Sequence, residues 1–125
     1  MTLGNETQPA QLPDAVAAYV RASNAADLGA MLDTFVDDAL VNDQLRDYWG
    51  KEAIAEWAAI EIIAQRLMMS VTNAVSHYDN LILIAEVTGD FDMRGLPEPL
   101  LLAFYFSVSG NRIAQLIILR NRTDV

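Results

Sequence analysis

Cysteine is absent from this chain of 125 residues. That excludes a disulfide scaffold, a thiolate zinc site, an iron–sulfur cluster and a cysteine nucleophile, and it suits a reducing cytoplasm. Bases are scarce too: eight Lys and Arg stand against 17 Asp and Glu, for a net charge of −9. Nucleic-acid binding needs a basic surface, so no nucleic-acid partner is expected. Histidine occurs once, at His77, which excludes a zinc site built on several histidines. The longest apolar run, Leu100–Phe106, is far short of a membrane span, and the first ten residues carry neither the basic nor the apolar stretch of a signal peptide. Neither a Gly-rich phosphate loop nor a Gly-x-Ser-x-Gly elbow is present, and no cofactor is implied.

What remains is apolar and lopsided. Hydrophobic residues make up 53% of the chain, enough for a core in one domain of this length. Residues 1–62 hold eleven of the acids and only three of the bases. That acidic half disfavours anionic ligands, so a neutral or cationic apolar compound is the expected partner. Residues 1–11, with Gly, Asn, Gln and Pro, read as a flexible lead to a single domain over 12–125.

Periodicity divides the domain. Pro13 and Asp14 open a helix whose apolar face is Leu12, Val16, Tyr19 and Val20. Asp27 caps a second helix with Leu28, Met31, Leu32 and Phe35 on one face, and Val36-Asp37-Asp38 reads as the turn that ends it. Leu40–Asp43 is a short strand. A third helix starts near Lys51, with Ile54, Trp57, Ala58 and Ile62 inward. After Arg66 the period becomes two. Strands are predicted over 67–78, 81–88, 100–108 and 112–119, with a turn at Asp79-Asn80, a loop over 89–99 and a tight hairpin at Ser109-Gly110-Asn111. Helices first and antiparallel strands after make an α+β domain. The last two strands are apolar on both faces, so helices cover one side and a second copy of the chain is expected on the other, giving a homodimer through the sheet.

This order of elements resembles the nuclear transport factor 2-like superfamily. The text "VAAYVRASNAADLGAMLDTFVDDALVND" is similar to the opening of its ketosteroid isomerase and SnoaL-like branches. "DYWGKEAIAEW" resembles the turn into the third helix, and "GNRIAQL" the final strand. The resemblance implies a cone: three N-terminal helices packed on a strongly bent antiparallel sheet, with an apolar cavity at the wide end. It places Tyr19 on the ketosteroid isomerase oxyanion-hole tyrosine and Asp43 on its general base. A carboxylate in an apolar pocket is a useful proton carrier, and a phenol there can donate to an oxygen gaining charge. The pattern then departs, because Leu100–Val108 contains no acid where the family enzyme adds a protonated one, near Ala103 or Phe104.

Other candidates surround this pair. Arg46 could ion-pair with Asp43 or hold a substrate carboxylate or carbonyl. Tyr48, Trp49 and Trp57 flank the start of the third helix and could shape a pocket wall, with Phe35 and Phe104 as further apolar contacts. Asn73 shares a predicted strand face with Leu67, Met69, Val71 and Val75, as a polar group in the pocket or a locally paired amide. Asp90 and Asp92 read as loop acids. Three functions fit: a cofactor-free acid/base enzyme on an apolar compound (isomerase, cyclase, dehydratase or hydrolase), a non-catalytic ligand-binding module, or a dimeric interaction protein.

Overall fold

The computed structural model describes residues 12–77 and 80–120; the expected lead over 1–11 lies outside them, as do Asp79 of the expected turn and the side chain of His77. Three helices and six strands follow in the order α1 (Asp14–Asn24), α2 (Leu28–Asp33), β1 (Phe35–Asp43), β2 (Arg46–Trp49), α3 (Gly50–Ala58), β3 (Met68–His77), β4 (Asn80–Thr88), β5 (Leu101–Ser109) and β6 (Arg112–Arg120). The strands form one sheet in the order β2-β1-β6-β5-β4-β3. The α+β arrangement is the expected one. Every pair is antiparallel except β1 with β6, which run parallel.

Local chemistry accounts for the ends of the elements. Asp27 caps α2 by accepting the Ala30 N–H at 3.1 Å. Asn24, at the end of α1, behaves like a strand edge: its amide donates to the Met69 carbonyl at 2.9 Å and accepts the Met69 N–H at 2.8 Å. That reciprocal pair fastens α1 to β3. Gly110 and Asn111 both adopt positive φ, the signature of a two-residue hairpin, and Ser109 faces Arg112 across it.

Two features depart from the periodicity. Val36-Asp37-Asp38 is not a turn after a longer helix, since β1 already begins at Phe35. Pairing wins there: Phe35 lies opposite Ile113, whose N–H reaches the Thr34 carbonyl at 2.7 Å, and the register with β6 shifts before Leu40. Arg46–Trp49, not read as a strand from the sequence, pairs with β1 as β2.

The core lies between helices and sheet. Tyr19 of α1 is fully buried and meets Phe35 edge-on at 6.1 Å and Phe106 at 5.5 Å, while Phe106 stacks on Phe104 at 6.4 Å. On the opposite face Ile82, Ile84, Leu101, Ile117 and Leu119 are half-buried and Tyr105 is exposed. Alternation along paired strands puts these six on one side.

Candidate functional site

The β1–β2 turn brings Asp43 to the site. Gln44 and Leu45 occupy it, both at positive φ, between the paired Asp43 and Arg46. Left-handed backbone costs such residues roughly 1–2 kcal/mol each, so the turn needs support. Gln44 donates its backbone N–H and its side-chain Nε2 to the Ile118 carbonyl at 3.0 and 3.1 Å, and Leu45 donates its N–H to Asn42 Oδ1 at 3.2 Å. The end of β1 is thereby pinned to β6.

A cavity of about 390 Å³ opens beside it. Its apolar wall is Ile62, Leu67, Val87, Phe91, Leu96, Leu100, Leu102, Phe104 and Ile118; its polar groups are Asp43, Gln44, Glu61, Gln65 and Arg120. A concave apolar space with few polar groups is the usual form of a small-molecule site. The 89–99 loop supplies Phe91 and Leu96. It is tied to the end of the third helical segment by the Asp90 N–H donating to the Gln65 carbonyl at 2.7 Å, with Arg66 and Asp90 3.8 Å apart. Gly89 makes that crossing possible, because a Cβ there would stand 2.9 Å from the Gln65 carbonyl oxygen and from the Phe91 ring.

Asp43 is half-buried and its carboxylate is held in place. Trp57 donates its indole N–H to Oδ2 at 2.9 Å, and Gln44 Nε2 lies 3.4 Å from Oδ1. Trp57 is itself 2% exposed and stands behind Asp43 rather than on the cavity surface, with the Tyr48 ring 6.2 Å away. Burial first, and the Asp43 charge second, push the Tyr19 phenol well above the ordinary tyrosine value. Tyr19 thus feels Asp43, but it belongs to the aromatic column behind the wall and does not line the cavity.

Of the residues singled out from sequence, Asp43 and Phe104 line the cavity. Tyr19 packs on Phe35 and Tyr48 on Trp57, and none of the four lines it. Trp49 is 66% exposed and Arg46 is exposed, and among the described residues Arg46 makes no ion pair with Asp43. Asn73 is exposed and accepts the Ala74 N–H at 2.9 Å. The cause is a bulge: Val71 pairs with Ala85 and Asn73 with Ile84, so Thr72 is an extra residue and the faces exchange. Asn73 and Val75 accordingly face away from Met69 and Val71. Ala103, between two lining residues, points to the outer face with Ile84 and Leu119.

Several lining residues were not singled out from sequence: Gln44, Glu61, Gln65, Phe91, Leu96 and Arg120. Phe91 and Leu96 carried a signal, as large apolar residues in a loop of Gly, Pro and Asp. Glu61 and Gln65 carried none, because their placement depends on a π-helical turn, Ala59–Ile63, that continues α3. Among the described residues no group of three or more His, Asp or Glu is placed to hold a metal ion, and no helix is long and apolar enough to cross a membrane.

Solved structures share this architecture. A candidate polyketide cyclase from Sinorhizobium meliloti superposes with a TM-score of 0.81 and 30% identity, over 90% of this chain and 100% of that one. A protein with a ketosteroid isomerase-like fold from Catenulispora acidiphila, solved in complex with trimethylamine, gives 0.71 and 22%, over 86% and 85%. A Mycobacterium tuberculosis protein solved in complex with estradiol-17β-hemisuccinate gives 0.71 and 21%, over 89% and 95%. No protein-family model matches the sequence, and no curated protein does. The chain belongs to the nuclear transport factor 2-like superfamily.

Proposed function

We propose that this protein is a small-molecule enzyme that works without a cofactor, with Asp43 moving a proton on an apolar, neutral or cationic compound held in the cavity. One observation carries the reading: Asp43 reaches an apolar cavity while Trp57 fixes its Oδ2 at 2.9 Å. A carboxylate so oriented is preorganised, since the substrate need not reposition it. The likeness to a candidate polyketide cyclase and to ketosteroid isomerase-like proteins supports chemistry at a carbon next to a carbonyl. In this site Gln65 or Arg120, both lining the cavity, would donate to the developing negative oxygen.

A nitrobenzisoxazole tests the base directly, because its ring opens when a base removes one carbon-bound proton. Asp43→Asn is expected to lower that rate by about a hundredfold or more. An unchanged rate would sink the assignment. The position of Tyr19 outside the lining favours a second reading, a binding module without turnover. It predicts saturable binding of a neutral aromatic alcohol that Asp43→Asn leaves intact and Leu102→Trp, which fills the cavity, abolishes. We also propose that the protein is a cytoplasmic homodimer joined through the outer sheet face, where Ile82, Ile84, Leu101, Ile117 and Leu119 are left half-exposed by the fold.

A further inference from the structure

Glu61 is half-buried and lines the same cavity as Asp43. The π-helical turn puts it there. The Ala64 N–H bonds to the Ala59 carbonyl at 2.9 Å and the Leu67 N–H to the Ile62 carbonyl at 3.0 Å, each reaching back five residues instead of four. Such a widened turn is a rare departure from the α-helix and is frequent at functional sites. Glu61 and Gln65, four apart, turn to the cavity together.

The two cavity carboxylates are not equivalent. Asp43 has the Trp57 indole on one oxygen and the Gln44 amide near the other. Among the described residues the Glu61 carboxylate has no hydrogen bond and no ion pair. The cavity it lines is walled by apolar residues, Ile62, Leu67 and Phe91 among them. A ligand that fills the cavity displaces water from this carboxylate and must supply a partner in its place. Arg120 does not supply it: it is exposed, where water screens its charge, and makes no ion pair with Glu61.

We infer that the missing partner comes with the ligand: the cavity takes an apolar compound bearing a protonated amine, anchored by Glu61. Asp43, already satisfied by the protein, is left for proton transfer. Phe91 and Phe104 line the same space, and aromatic rings attract a cation. The net charge of −9 attracts such a compound and repels its anionic counterpart. This inference rests on the cavity being the binding site, and it narrows the ligand to amines.

Three probes on one frame test it: phenylpropylamine, phenylpropanol and phenylpropanoate, titrated calorimetrically into the full chain at neutral pH. The amine is expected to bind about tenfold tighter than the alcohol, the scale of a partly desolvated ion pair, and the carboxylate weakest. Glu61→Gln should bring the amine down to the alcohol and leave the alcohol unchanged, whereas Glu61→Asp, which keeps the charge, should retain part of the preference. Equal binding of amine and alcohol overturns the amine assignment, and a preference that survives Glu61→Gln overturns Glu61 as its anchor; either result leaves the cavity as the site. If none of the three saturates the protein, the cavity reading falls and this inference with it.

Discussion

The indole N–H of Trp57 donates to Asp43 Oδ2 at 2.9 Å, joining the last turn of α3 to the last residue of β1. Trp57 is 2% exposed, so its donor has no access to water and Asp43 is what satisfies it. The bond leaves Oδ1 as the oxygen available to a ligand, with the Gln44 amide beside it.

Removing that donor should be felt in stability. Trp57→Phe keeps an aromatic ring and deletes the hydrogen bond to a charged group, for an expected loss of about 1.5–3 kcal/mol in urea unfolding. Trp49→Phe, at a position 66% exposed, should stay within about 0.5 kcal/mol. A double-mutant cycle of Trp57→Phe with Asp43→Ala, which removes the acceptor, should show coupling; additive losses would mean that the bond contributes nothing.

Tyr19 makes the fold sensitive to alkali. Its phenol is held above the value of about 10 that it has in the unfolded chain, by burial first and the Asp43 charge second. The folded state therefore keeps a proton that the unfolded state releases. Stability is fully present below about pH 10 and declines as pH rises beyond it, by about 1.4 kcal/mol per pH unit for this one proton. Denaturant midpoints measured across that range should show the slope, and Tyr19→Phe should lack Tyr19's share of it. Tyrosinate absorbance should show one ring ionising only as the protein unfolds.

Gly89 controls the loop wall. Gly89→Ala places a methyl 2.9 Å from the Gln65 carbonyl and the Phe91 ring, and backbone cannot yield as a flexible side chain would. The expected loss is about 1–3 kcal/mol, with the Phe91 ring displaced from the cavity. Proteolysis within 90–98 should become faster. An unchanged cleavage rate and unfolding midpoint would show that the loop has more room than its contacts indicate.

The outer sheet face gives a prediction about assembly. Ile84→Lys puts a charge in the middle of the half-exposed apolar patch and away from the cavity. Sedimentation should show a dimer for the original chain and a monomer for the variant, with the same circular dichroism. A monomer in both would remove the dimer from consideration.

The elements that the sequence makes legible are those whose burial alternates or repeats without interruption. β4, β5 and β6 fall within a residue or so of where the apolar pattern puts them, and Pro13 and Asp27 mark two helix starts through local chemistry alone. The misread places are set by partners distant in sequence. Phe35 has helical spacing to Met31 and Leu32, yet Ile113 claims it for the sheet. Thr72 looks like any strand residue, and only its pairing with β4 shows it to be an extra one that turns Asn73 outward. The candidate site divides the same way. Asp43 is legible because a resemblance marks it. Glu61 and Gln65 depend on a helix loosening by one residue, and Arg120 on the last strand lying beside β1; neither has a signature in local composition.

The parallel pairing of β1 with β6 bears on the order of events during synthesis. Asp43 lies opposite Ile118, whose carbonyl holds Gln44 in its turn. Helices and the β3–β4 hairpin can form before β6 is made, but the surroundings of Asp43 cannot, because Ile118 follows it by about 75 residues. Contacts this far apart in sequence slow folding. A chain released before β6 would retain Asp43, Trp57 and most of the cavity wall in its covalent structure and still have no site.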